Sequence, residues 1–139
     1  MAVRPNLPPD PIRDNLRSVR LGLLRLHKAL IDAERGEVER RSGAMSNGVF
    51  LHMLIQDEGF AWLRPFSELI VRIDEALATR EPIAEDSARG YVQEIVALLA
   101  PDPEAVAGQR LAELRRGGTV LAAHEELTRR IAAFPSGTA

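Results

Sequence analysis

The sequence predicts an all-α protein, an antiparallel bundle of five to six helices with a long N-terminal helix. Apolar residues recur at spacings of three and four along most of the 139-residue chain, which is the period of helices that bury one face. Prolines and glycines interrupt this pattern at short intervals and predict loops between short helices. One eight-residue apolar run could form a strand, but no second strand candidate exists to pair with it. A chain of this length suits one domain.

The first helix is predicted over 11–41. Residues 1–10 contain three prolines and are expected to form an extended arm, and Asp10 followed by Pro11 is typical of a helix start. The apolar residues of this helix follow a heptad spacing; they are Ile12, Leu16, Val19, Leu23, Leu26, Leu30 and Ala33. At about 46 Å, the helix would exceed the diameter of about 37 Å of a compact domain of this size. We therefore expect either a break near Gly36 or an overhang that packs on a second subunit, and we favour the second.

Shorter helices are predicted to follow a loop at 42–48. They cover 49–56 as a short buried helix, 60–79 with Pro65 in its first turn, 84–100, 103–116 after an Asp102 cap, and 119–134 with Thr119 as its cap. The bundle domain then spans 11–134, and 135–139 is expected to be a flexible tail.

Composition excludes several classes of function. The net charge is −2, which gives no long-range attraction to nucleic acid or to an acidic membrane. The chain has no cysteine, which excludes disulfides, thiolate nucleophiles and zinc fingers. No secretory signal and no run of about 18 apolar residues is present, so we expect a cytoplasmic protein without membrane contact.

Catalytic motifs are missing from the sequence. The Glu-x-x-His pairs of di-iron bundles do not occur, and His124-Glu125 starts like a zincin helix that lacks its second histidine. No phosphate-binding loop and no Gly-x-Ser-x-Gly elbow exists. We predict no catalytic residue, no metal and no cofactor, and we favour a protein that is not an enzyme.

A polar row with seven-residue spacing runs along the first helix, formed by Arg13, Arg20, His27 and Glu34. Apolar rows flank it, so these side chains are expected to be half-buried and to need partners. We favour a structural network of hydrogen bonds and ion pairs. The alternative is a ligand-binding or acid–base site built on Arg20, His27 and Glu34.

Two further histidines are predicted to face inward. His52 interrupts an otherwise apolar helix, and His124 lies in the apolar seam of the last helix. We favour core histidines with satisfied hydrogen bonds. The alternative hypothesis is that they converge with His27 on a small ligand or a metal.

The aromatic residues cluster between Phe50 and Phe66 and are expected to form the main core contact. The alternative hypothesis is that Trp62 and Arg64, at a helix entrance, form an exposed recognition surface, since tryptophan and arginine are enriched in binding hot spots.

Three segments carry a resemblance to a family. The stretch QDEGFAWLRPFSELIVRIDE at 56–75, LHKAL at 26–30 and the pair Ala123-His124 resemble small uncharacterised bacterial helical proteins. The resemblance implies a bacterial, cytosolic, all-helical protein and brings no established activity and no catalytic residues.

These observations favour a non-enzymatic bundle that acts through protein–protein contact with an unknown partner, and as a homodimer through its first helix. The alternative is a small-ligand or metal-binding bundle that uses its inward-facing histidines. The weakest hypothesis is nucleic-acid binding, which arginine pairs at 40–41, 115–116 and 129–130 suggest. Because acidic residues interleave with these pairs, we predict no nucleic-acid partner.

Overall fold

The computed structural model describes residues 9–135, and this part of the chain contains six α-helices, one short 3-10 helix and no strand. In chain order they are α1 (Pro11–Ser42), α2 (Asn47–Gln56), the 3-10 helix (Glu58–Leu63), α3 (Arg64–Ala78), α4 (Glu85–Leu99), α5 (Val106–Leu114) and α6 (Gly118–Ala132). The predicted all-α bundle with a long first helix is confirmed. Most of the predicted arm and tail, 1–8 and 136–139, lies outside the described residues. None of the helices described is long and apolar enough to cross a bilayer.

Helix α1 is continuous over 32 residues. The side chain of Asp10 accepts a hydrogen bond from the backbone N–H of Arg13 at 3.0 Å, and Pro11 occupies the first turn, as predicted. The helix ends before Gly43, whose φ of 84° lies in the left-handed region that glycine favours. No break occurs at Gly36, so the alternative of a break is wrong.

Helix α1 is the centre of the bundle. Its heptad seam is completely buried at five positions, Leu16, Val19, Leu23, Leu26 and Leu30. It packs most extensively on α6 and then on α3 and α4. The seam that suggested a second subunit is therefore filled by helices of the same chain.

Helices α6 and α3 run antiparallel to α1. On α6, Arg130 contacts Ser18 near the start of α1, while Ala122 and Ala123 lie beside Ala29 further along. Helix α3 follows the same rule, because its last turn meets Arg13 and its first turn meets His27.

The C-terminal half of α1 is covered by the aromatic cluster that the sequence predicted to be core. Phe50 and Phe60 meet edge to face with ring centroids 6.0 Å apart, and Trp62 and Phe66 do so at 6.1 Å. All four side chains are buried, so the overhang of α1 is packed by its own chain on this side.

Four helix starts differ from the prediction. Helix α2 begins at Asn47, two residues before the predicted position. Leu63 and the residues before it form a 3-10 helix, and α3 begins only at Arg64, with Pro65 in its first turn as expected. Asp102 does not cap a helix; its carboxylate accepts from the N–H of Glu104 at 2.9 Å, a local turn that delays α5 to Val106. Thr119 lies inside the first turn of α6, which starts after Gly117.

Helix α2 contradicts the prediction of a buried helix. Phe50 is its only buried residue, whereas Val49, Leu51 and Ile55 are 54%, 57% and 56% exposed. The helix lies at the margin of the bundle against α1 and the 3-10 helix, and no other described element covers its outer side.

Candidate functional site

The polar row of α1 is half-buried at Arg13, Arg20 and His27 and fully buried at Glu34. Arg13 sits at the C-terminal end of α3. Its guanidinium donates to the carbonyl oxygens of Leu77 at 2.6 Å, Thr79 at 3.0 Å and Glu81 at 2.9 Å. A cation that binds the free carbonyls of a helix end also complements the helix dipole, so Arg13 stabilises the end of α3.

Arg20 pairs with Asp74 of α3. Its Nε lies 2.6 Å from one carboxylate oxygen and its Nη2 lies 3.3 Å from the other, a two-point contact that fixes the orientation of both side chains. Arg20 is thus occupied by a partner from its own chain.

His27 lies between α1 and α3 with its ring stacked on Phe66, at a centroid distance of 6.2 Å and an interplanar angle of 14°. Partial burial lowers the pKa of His27, because desolvation disfavours the charged imidazolium. The ring is therefore neutral at pH 7 and serves as a half-buried packing surface.

Glu34 is the one buried charged residue among those described, 4% exposed. Its carboxylate accepts from Trp62 Nε1 at 3.0 Å and from Arg110 Nε at 3.2 Å, and Arg110 Nη2 also contacts its second oxygen. Arg110 further meets Glu37 at 2.7 Å and Glu113. Hydrogen bonding to Glu34 is the main reason why the pKa of Arg110 is raised above its usual range. This cluster joins α1, the 3-10 helix and α5.

The alternative of an exposed Trp62 surface is wrong, because Trp62 is 8% exposed and its indole N–H is used by Glu34. Arg64 is exposed, but it donates to the carbonyl oxygen of Ile55 at 2.8 Å and so holds the end of α2. The two residues do not form one outward-facing surface.

The three histidines occupy different places. His52 is exposed on α2, which corrects its predicted inward position. His124 is half-buried on α6, with Nε2 3.3 Å from Arg115 Nη1; desolvation, and then the charge of Arg115, lower the pKa of His124. Within residues 9–135, no three histidine, aspartate or glutamate side chains are arranged to hold a metal ion.

Sequence reasoning missed two arginines that organise the C-terminal half of α1. Arg110 closes the Glu34 cluster from 76 positions away. Arg35 donates to the carbonyl oxygen of Met45 and to the side chain of Asn47, both at 2.7 Å, and lies over the ring of Phe50 at 5.3 Å. The only available signal was indirect: a glutamate and a tryptophan at predicted core positions each need a polar partner.

Two grooves open beside the outer face of α1. The first, of about 380 Å³, lies between α1 and α6 and is lined by Arg25, Lys28, Ala29, Asp32, Thr119, Ala122, Ala123 and Glu126. The second, of about 290 Å³, lies between α1 and α2 and is lined by Ile31, Asp32, Arg35, Asn47, Phe50, Leu51 and Leu54. Asp32 borders both, and none of the three histidines lines either groove. These two open, shallow grooves suit a macromolecular surface better than an enclosed small ligand.

Comparison with models of known families, with curated proteins and with solved structures found no match.

Proposed function

We propose that this protein is a non-enzymatic helical bundle that acts through protein–protein contact, and that it forms a homodimer through the outer face of α2. The observation that supports this proposal is the exposure of an uncharged apolar helix. Val49, Leu51 and Ile55 are each more than half exposed, and the segment NGVFLHMLIQ contains no charged residue. Leu51 and Ile55, four residues apart, form one exposed apolar strip, and the exposed His52 and Gln56 lie between this strip and Val49 on the helix surface. Exposed apolar surface of this kind is typical of interaction sites.

The proposal moves the interface from α1 to α2. The apolar seam of α1 has little surface left to offer a partner, because its leucines are completely buried inside the chain and only Ile12 and Ala33, at its two ends, are partly exposed. The outer face of α2 has no covering element in the described structure, and burying Leu51 and Ile55 would contribute roughly 1 kcal/mol for each half-exposed side chain.

A second copy of the chain is the partner that we propose. Because α2 carries no charge, two copies can approach without burying an unpaired ion, which is the main cost of covering a polar surface. Closed two-fold dimers are also the commonest assemblies of soluble proteins. We also propose a cytoplasmic location, with which the cysteine-free composition is compatible, because the fold needs no disulfide and hence no oxidising compartment.

Light scattering coupled to size-exclusion chromatography tests the proposal. At tens of micromolar, the wild-type protein should elute with the mass of a dimer, and Leu51→Glu/Ile55→Glu should elute as a monomer with unchanged helical circular dichroism. Val71→Glu is the matched control, since Val71 is 53% exposed on α3 and should leave the dimer intact. A strictly monomeric wild type, or a Val71→Glu variant that dissociates as completely, would refute it.

A further inference from the structure

The groove between α1 and α6 has an apolar floor and a charged rim. Its floor consists of Ala29, Ala122 and Ala123. Its rim carries the cationic residues Arg25 and Lys28 of α1 and one acidic residue from each helix, Asp32 and Glu126. Short side chains on two adjacent helices leave a channel in which larger apolar side chains of a third helix can be accommodated.

The groove is long enough for the exposed apolar strip of α2. On α1 it extends from Arg25 to Asp32 and on α6 from Thr119 to Glu126, which is about 10 Å on each helix. Leu51 and Ile55, the two exposed residues of the strip, are about 6 Å apart along α2 at the same rise per residue. In a second copy, Leu51 and Ile55 would face this floor of alanines, and no aspartate, glutamate, lysine or arginine of α2 would have to be desolvated, because the helix contains none.

The position of Asp32 relates the two surfaces. This residue lines the α1–α6 groove on one side and the α1–α2 groove on the other, so α2 and the α1–α6 groove lie on either side of the same ridge of α1. The ridge carries a pair of opposite charges, Lys28 and Asp32, with Nζ 2.7 Å from the carboxylate. A two-fold axis beside this pair would place Lys28 of each copy near Asp32 of the other.

We propose that α2 of each copy lies in the α1–α6 groove of the other copy, so that one two-fold axis creates two identical contacts. This arrangement rests on the proposed homodimer and assigns its contact surfaces. It is isologous and closed, and it buries in one step the exposed face of α2 and the alanine floor that the monomer leaves open.

Chemical cross-linking tests the arrangement, because the natural chain has no cysteine and introduced thiols are the only ones that react. Ile55→Cys on α2 and Ala122→Cys on α6 are prepared separately, mixed, and treated with a short bismaleimide. The mixture should give a covalent dimer that neither variant gives alone. Replacing Ile55→Cys by Val71→Cys, which is equally exposed on α3, should abolish this product.

A groove variant gives an independent measurement. Ala122→Gln lengthens a side chain on the floor and should weaken dimerisation at least tenfold, whereas Ala132→Gln, an exposed alanine outside the groove on the same helix, should not. Two results would show that this arrangement is wrong while the homodimer proposal stands. In the first, the wild type is a dimer but Ile55→Cys cross-links mainly to a second copy of itself. In the second, the wild type is a dimer but no cysteine pair cross-links and Ala122→Gln does not weaken dimerisation. If the wild type is a monomer, both proposals fail.

Discussion

Glu34 is a carboxylate that the fold removes from water and then surrounds with donors. The energetic cost of burying a charge is large unless a partner is supplied, and here the partners are the indole N–H of Trp62 and the guanidinium of Arg110. The sequence placed Glu34 correctly on a half-buried row. It could not identify Arg110, because the two residues meet only when α5 returns to α1.

Removing the guanidinium should therefore leave an unpaired buried charge. We expect Arg110→Met to lower the free energy of unfolding by about 3 kcal/mol. Urea denaturation followed by the fluorescence of Trp62, the single tryptophan, and by circular dichroism measures the change.

The double variant Glu34→Leu/Arg110→Met is the control for this explanation. It removes both charges, so most of the lost stability should return even though a hydrogen bond to Trp62 is also lost. A single variant Arg110→Met with wild-type stability would show that the Glu34 cluster does not hold α5 in place.

Among the elements, α1 shows how packing overrides a local signal. Gly36 predicted a possible break, since glycine costs about 1 kcal/mol in a helix interior. The helix continues because residues on both sides of this position, Glu34 and Val38, are buried against neighbouring elements. The other glycine of α1, Gly22, has a different role, because it lies directly against Leu127 and Arg130 of α6.

The two glycines of α1 should respond oppositely to alanine. At Gly22 a Cβ would lie 3.0 Å from side-chain atoms of Leu127 and Arg130 and 3.3 Å from the Leu127 backbone, so Gly22→Ala should destabilise the protein by about 1 kcal/mol or more through overpacking. At Gly36 the nearest atom, from Arg40, is 3.6 Å away, so Gly36→Ala should stabilise it by about 0.5–1 kcal/mol. Thermal melts of both variants give the comparison, and equal shifts of the same sign would contradict the close α1–α6 contact.

In helix α2 an apolar sequence does not lead to burial. Periodicity cannot distinguish a helix buried in its own chain from one that presents an apolar face to a partner, since both show the same composition. Whether α2 is buried depends on how many helices of the same chain pack against it, and in the described chain they cover only one side of α2.

For the whole molecule, the two half-buried histidines determine how stability depends on pH near neutrality. Burial lowers the pKa of His27 and of His124 below the ordinary value of about 6.5, so the unfolded chain takes up protons at these sites before the folded chain does. The free energy of unfolding should therefore have its full value at pH values above the unfolded-state pKa of about 6.5. It should fall as the pH decreases through that pKa towards the lower pKa values of the two histidines in the folded state.

Urea denaturation at a series of pH values between neutral and mildly acidic tests this expectation. His27→Phe keeps an aromatic ring against Phe66 but cannot take up a proton, so its stability should fall less steeply than that of the wild type. His52→Gln changes an exposed histidine and should keep the wild-type slope. Parallel curves for wild type and His27→Phe would show that His27 is not desolvated by the fold.

The fold class, the Asp10-Pro11 start of the long first helix and the polar row on its face could all be predicted from the sequence. These features depend on residues within one or two turns of each other, and spacing reports such contacts directly. The partners of the polar row, the exposure of α2 and the two grooves beside α1 required the tertiary structure. They depend on which helices pack against each side of α1. This packing brings together residues that are far apart in the sequence, such as Glu34 and Arg110 or Ala29 and Ala122, so the spacing of residues along the chain cannot predict these contacts.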